Sequence, residues 1–228
     1  MNKTKIEWCD YTVNPIKGYC PMACSYCYAR RLYDRFGWDK TIRFDMVELL
    51  KTVSHLAQIE KPQRIFVGST IELFGDWVER RWLQRIMAMV RSLPQHTFIF
   101  LTKKPNDLPQ GNIVPWPDNA WVGITATDSE SLTCSYHYLP QIQAKVKFLS
   151  YEPLMGRIVA DYRNWVTPPD WLIIGSQTGP GSKNHQPKVE WIDEIEKAAQ
   201  QAHIPIFEKN NLAKILNRPL IQEFPKEG

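Results

Sequence analysis

Short apolar, β-branched runs alternate with amphipathic stretches along most of this chain. The runs cover residues 11–14, 64–70, 97–102, 121–127, 146–151 and 171–176, with a seventh at 204–208. Most are nearly continuous in apolar character, as expected of strands covered on both faces in a parallel sheet. Helical periodicity fills several of the gaps. Met46, Leu49, Leu50, Val53, Leu56 and Ala57 share one face, and Leu83, Ile86, Val90 and Leu93 share a second. Ile192, Ile195, Ala199 and Ala202 make a third. Asp76 and Glu79 precede the second face at capping-box spacing, and a short helix is expected over residues 28–36. Strand, helix and strand repeated in this way predict right-handed βαβ units. The expected fold class is α/β, a partial (β/α)6 TIM-like barrel with an extra C-terminal strand. A flat doubly wound sheet is its main rival. Residues 103–118 carry four prolines and 153–170 show no helical period, so both read as irregular loops.

In α/β sheets of either kind, sites lie where loops leave the C-terminal ends of strands. Polar residues gather at those ends here: Ser69 and Thr70, Thr102 and Lys103, Thr125 and Thr127, Ser150 and Glu152, Ser176 and Gln177. Glu208 and Lys209 end the last run. Any one of them reads equally well as a helix cap. Their repetition at the same end of each strand favours a ligand-lined rim.

Composition narrows the class. With 228 residues and 43% hydrophobic content, the chain buries a substantial core without disulfides, which excludes a disordered or fibrous protein. One domain over residues 1–228 is expected. No run approaches the roughly 18–20 apolar residues of a membrane span. The first residues lack the apolar core of a secretion signal, so the expected location is cytoplasmic. A net charge of +4 is compatible with an anionic partner but too small to argue for one.

Three of the five cysteines, Cys20, Cys24 and Cys27, fall in one short segment after the first strand. The spacing C-x3-C-x2-C lets one tight loop turn three thiolates toward a common centre. A disulfide is disfavoured by the odd number and the expected reducing compartment. Structural zinc wants a fourth ligand close by. His55 is far along the chain and no second C-x2-C exists, although Cys9 is a candidate fourth ligand. An iron–sulfur cluster fits every feature of the loop: thiolates hold it, and supplying only three leaves one iron open to a small molecule.

The motif C-x3-C-x-aromatic-C, with Tyr26 as the aromatic, resembles the signature of radical S-adenosylmethionine (SAM) enzymes. Further stretches resemble a phage- and prophage-associated branch of unclear function with a radical SAM core. They are Lys5-Ile6-Glu7-Trp8-Cys9-Asp10-Tyr11-Thr12, Asn14-Pro15, Leu73-Phe74-Gly75-Asp76-Trp77 and Phe100-Leu101-Thr102-Lys103. Trp121-Val122-Gly123, Phe148-Leu149-Ser150-Tyr151-Glu152-Pro153-Leu154 and Gly179-Pro180-Gly181 complete the set. The resemblance implies a [4Fe–4S] cluster on Cys20, Cys24 and Cys27 and SAM on the unique iron. Reductive cleavage of SAM would follow, giving a 5′-deoxyadenosyl radical that abstracts hydrogen from an unknown substrate. It implies an external electron donor such as a flavodoxin or ferredoxin. A nucleic acid or nucleotide is the leading substrate guess.

The same resemblance assigns SAM contacts. Gly68-Ser69-Thr70 stands where the superfamily has its GGE motif, so the glutamate is absent, and Glu72 is a substitute two residues on. Thr125, ahead of Thr127, is expected to meet the ribose. Glu152 is a further polar contact, a salt bridge with Arg157 being the plainer reading. Gly175 and Ser176 offer backbone groups to adenine, and Tyr26 packs beside it. Two alternatives stand beside this reading: a nucleic-acid-binding protein stabilised by zinc or a cluster without radical chemistry, and a degenerate fold that binds SAM weakly. Elsewhere, Gly179-Pro180-Gly181-Ser182 reads as a turn, and the Arg80, Arg81, Arg85 and Arg91 set as a solvated helix face. Arg30, Arg31 and Arg35, interleaved with Tyr33, Phe36 and Trp38, are candidates for nucleic-acid contact.

Overall fold

The computed structural model describes residues 1–108 and 115–226. Part of the irregular loop expected over 103–118 therefore lies outside the described residues. The chain divides into two compact units, residues 1–121 with 143–145, and residues 122–142 with 146–228.

The first unit comprises β1 (Asn2–Lys3), β2 (Tyr11–Val13), β3 (Ile16–Lys17), α1 (Tyr28–Phe36), β4 (Arg43–Phe44), α2 (Met46–Leu56), β5 (Arg64–Val67), α3 (Arg80–Arg91) and β6 (Thr97–Thr102). Its strands lie in the order β1-β2-β5-β6, with β1 antiparallel at the edge and the other three parallel. β3 and β4 form a separate antiparallel pair. Register sets Val13 beside Val67 and Val67 beside Phe100, so the segments after β2, β5 and β6 leave from one end. Val13, Ile65, Val67, Phe98 and Phe100 are buried. Leu83, Ile86, Val90 and Leu93 are buried as expected, whereas Leu50 and Ala57 of the expected α2 face are exposed. The Asp76/Glu79 reading is corrected: Glu79 is itself the N-cap of α3 and makes no side-chain capping bond.

The second unit takes over within β7 (Ala120–Thr125) and continues with α4 (Ser129–Tyr138), β8 (Val146–Tyr151), β9 (Trp171–Ile174), α5 (Val189–Gln201), β10 (Ile206–Glu208) and α6 (Ala213–Leu216). The strands follow the order β7-β8-β9-β10, with β8, β9 and β10 parallel. Their side chains are buried almost throughout, which is why these runs lack polar alternation. α5 buries Ile192, Ile195 and Ala199. The seventh run proves to be a strand. After it the chain returns, and Glu208 N–H donates to the Ile221 carbonyl at 2.7 Å and Glu223 N–H to that of Ile206 at 2.8 Å. The buried Glu208 carboxylate receives both Arg218 Nη groups at 2.9 Å, and Arg218 also pairs with Glu196.

The fold is thus mixed α/β with mostly parallel strands, as the hydrophobic pattern predicts. Residues 153–170 hold one short 3-10 turn and are otherwise irregular, also as expected. Among the described residues no helix is long and apolar enough to cross a membrane.

Candidate functional site

The cysteine loop is held on several sides. Gly18 N–H donates to the Tyr33 hydroxyl at 2.8 Å, and Tyr19 N–H donates to the Lys40 carbonyl at 3.0 Å. Arg30 reaches back from α1 to the Cys20 carbonyl at 2.5 Å, its guanidinium 3.7 Å from the centre of the Tyr19 ring. Ala23, between Cys20 and Cys24, adopts a left-handed φ of 51°, a strained setting that the surrounding contacts must enforce.

The three thiols have distinct settings, and all are free of disulfides. Cys20 is buried and its sulfur accepts the Glu72 N–H at 3.4 Å. Burial pushes the Cys20 thiol up, while N–H donors from Glu72 and Met22 pull it back. Cys24 is half-buried, and its carbonyl accepts Cys27 N–H at 3.0 Å. Cys27 is the N-cap of α1, where its sulfur takes the place of the usual capping oxygen and accepts Arg30 N–H at 3.5 Å. Tyr26 is half-buried beside it. Cys9 lies buried near the Ile6 carbonyl, and Cys134 is exposed on α4.

Glu72, expected only as a substitute for the missing GGE glutamate, is central to this loop. Its carboxylate is buried and receives Thr102 Oγ1 at 2.8 Å, Lys103 N–H at 2.8 Å and Phe74 N–H at 3.1 Å. One residue thus ties the Cys20 sulfur to the end of β6. Asn14 plays a similar part after β2. Its Oδ1 faces the Ser69 hydroxyl, the Thr70 hydroxyl and the Thr70 N–H, each at 3.2 Å, and Tyr28 donates to the Ser69 carbonyl at 2.9 Å. Gly68 turns the chain at φ 79°, where a Cβ would lie 2.5 Å from Leu73. The Asn14 signal was present as an Asn-Pro pair, but its partners stand more than fifty residues away in sequence.

The second unit holds the remaining strand-end residues. Thr125 ends β7 and is buried. Thr127 belongs to the cap of α4: its N–H donates to Ser131 Oγ at 2.8 Å, beside the Asp128–Ser131 capping box. Glu152 pairs with Lys209, not with Arg157, which binds Glu194 through two bonds at 2.7 and 2.8 Å. Gly175 leaves room for that pair, since a Cβ there would lie 3.0 Å from Lys209 and 3.2 Å from Glu152. The Gly175 N–H donates to the Tyr151 carbonyl, and the Ser176 backbone is matched on both sides by the Asn211 amide. Glu208 faces Arg218 rather than a rim. His96 is buried between the Gln63 N–H and the Leu56 carbonyl, a structural role. Gly179-Pro180-Gly181-Ser182 forms a turn into a short 3-10 segment.

Among the described residues no three His, Cys, Asp or Glu side chains are gathered tightly enough to hold a single metal ion. The donor set of the loop nevertheless fits an iron–sulfur cluster, which takes its thiolates on separate irons and is tuned by N–H donors to sulfur. Residues 3–214 match the model of a family described as a protein of unknown function (DUF5131). The chain belongs to this family. None of the curated proteins matches it. Among solved structures it is similar to spore photoproduct lyase complexed with dinucleoside spore photoproduct, at 12% identity and a TM-score of 0.52. The likeness covers 88% of this chain and 63% of the lyase chain, so this protein spans less than two thirds of that enzyme's length. At such identity the likeness is one of fold alone.

Proposed function

We propose that this protein is a radical SAM enzyme whose Cys20, Cys24 and Cys27 hold a [4Fe–4S] cluster. The observation that carries the reading is the loop itself: three free thiols on one turn, with Glu72 N–H on the sulfur of Cys20 and Cys27 capping α1. The radical SAM fold of the structural neighbour supports it. When bound, the cluster supplies the electron that cleaves SAM reductively to methionine and a 5′-deoxyadenosyl radical for hydrogen abstraction.

The chain's own residues bind and orient. Ser69 and Thr70, fixed by Asn14 and Tyr28, present hydroxyls beside the loop for the methionyl part of SAM. Glu72 holds Cys20 in place instead of receiving that amine, because its carboxylate is already committed to three donors. The resemblance assigns Tyr26, Thr125 and Glu152 to the adenosyl part, whereas the Gly175 and Ser176 backbone groups it also assigns are already paired within the fold. A flavodoxin or ferredoxin delivers the electron, and a nucleic acid or nucleotide is the substrate, in keeping with the dinucleoside ligand of the neighbour. Anaerobic reconstitution with iron and sulfide, followed by reduction with SAM, tests this: thiolate-bound iron absorbs near ~400 nm, and 5′-deoxyadenosine accumulates.

One observation favours a second reading. With Gly68-Ser69-Thr70 in place of GGE and the Glu72 carboxylate occupied, the loop has no free glutamate of its own for the SAM amine. A cluster- or zinc-stabilised nucleic-acid-binding protein then remains. Metal analysis of protein as purified separates the two, since one zinc per chain favours the second.

A further inference from the structure

We infer that the C-terminal end of α1 is a stacking platform for single-stranded nucleic acid, with Phe36 and Trp38 taking unpaired bases and Arg35 meeting phosphate. The inference deepens the substrate part of the proposed function and rests on that reading for its consequence, though not for binding itself.

Local sequence builds the platform. α1 ends at Phe36, and Gly37 adopts φ 61° and ψ 33°, the left-handed setting that closes a helix. Trp38 N–H then reaches back to the Tyr33 carbonyl at 3.1 Å, which folds its ring beside that of Phe36. The two rings stack with centroids 5.5 Å apart and planes 21° from parallel. The Tyr33 ring meets Trp38 edge-on at 5.3 Å. Trp38 is thereby fixed, yet it remains 47% exposed and Phe36 55% exposed. A rigid aromatic stack open to water is what successive bases use, because every base has a π-face.

Charge points to the same partner. Residues 28–43 contain five basic side chains (Arg30, Arg31, Arg35, Lys40, Arg43) and two acidic ones (Asp34, Asp39), a net +3 against +4 for the whole chain. Both acids are engaged by basic neighbours, Asp34 by Lys40 and Asp39 by Arg43. The Arg35 guanidinium stands 5.3 Å from the Phe36 ring, so a phosphate beside a stacked base falls within its reach. α1 begins directly after Cys27, and nine residues of helix rise about 14 Å. A strand held on these rings lies one short helix away from the cysteine loop.

The test titrates the full chain, as purified, into fluorescein-labelled oligo-dT, oligo-rU and a duplex of equal length, at low and moderate salt. Single strands should bind, the duplex more weakly, and the DNA and RNA arms tell which sugar is preferred. Phe36→Ala and Trp38→Ala should each weaken binding about tenfold, while Trp38→Phe keeps most of it. Arg35→Glu should weaken binding and flatten its salt dependence by roughly 0.7 in log–log slope. Far-UV circular dichroism of each variant checks the fold. Unchanged affinity in the folded alanine variants overturns the inference. So does a parent chain that binds no oligonucleotide, which would leave the rings to a protein partner. Because binding is read without iron or SAM, a chain that forms 5′-deoxyadenosine yet ignores oligonucleotides fails this inference alone.

Discussion

The backbone N–H of Glu72 donates to the sulfur of Cys20 at 3.4 Å, while the carboxylate of the same residue is buried against the end of β6. A ligand loop and a central strand are thereby joined through one residue, by its backbone on one side and its carboxylate on the other. Substitution at Glu72 therefore acts on stability and on metal loading together. Glu72→Ala leaves Thr102, Lys103 and Phe74 donors without an acceptor and should cost about 2–4 kcal/mol. Glu72→Gln keeps one acceptor oxygen and should cost less. Urea unfolding of the metal-free chain measures both, and an alanine variant as stable as the parent would contradict the clamp.

Cysteine substitutions should divide the five residues sharply. Cys20→Ala, Cys24→Ala and Cys27→Ala should each bring iron incorporation well below that of the parent after reconstitution. Cys9→Ala and Cys134→Ala should leave iron and acid-labile sulfide unchanged, because these two lie in other settings. Iron loss with Cys9→Ala would instead support a four-thiolate structural site.

Asn14→Ala removes the acceptor shared by Ser69 and Thr70. It should reduce stability by about 1 kcal/mol, leave iron uptake intact and weaken SAM binding. Isothermal titration of SAM into the reconstituted protein reads the last effect. Unaltered SAM affinity would detach the turn after β5 from the cofactor.

The Glu196, Glu208 and Arg218 group predicts a pH dependence. Burial, with the Glu208 carboxylate close by, raises the Glu196 carboxyl from 4.5 to about 7. A folded-state value above the unfolded one means the stabilisation is complete below about pH 4.5 and is lost as pH rises through 7. Glu196→Gln should therefore gain on the parent between those values and level off above, by about 1 kcal/mol after solvent screening. Arg218→Ala strands the buried Glu208 carboxylate and should cost about 3–5 kcal/mol at neutral pH. Urea midpoints at pH 5, 7 and 8 check both.

The fold was largely legible where burial is two-sided or strictly periodic. The runs at 97–102 and 146–151 coincide with β6 and β8, and residues 28–36 with α1. α4 escaped because Thr133, Cys134 and Ser135 interrupt any apolar face, and its start is signalled only by Asp128 and Ser131. The cysteine loop was legible because its spacing is local. The Asn14–Ser69, Glu72–Thr102 and Glu152–Lys209 pairs were not, since each joins residues thirty or more positions apart. Polar strand ends marked where such partners meet without saying which partner each would take. Thr127 went to a helix cap and Thr102 to Glu72.

The three-cysteine loop is proposed to carry a cluster that cleaves SAM. The most direct measurement is 5′-deoxyadenosine formed by the anaerobically reconstituted chain with SAM and a low-potential reductant. A broad absorbance near ~400 nm that reduction bleaches is expected, with 5′-deoxyadenosine formed by the parent and by Cys134→Ala but not by Cys24→Ala. One bound zinc per chain, no such absorbance and no 5′-deoxyadenosine would contradict it.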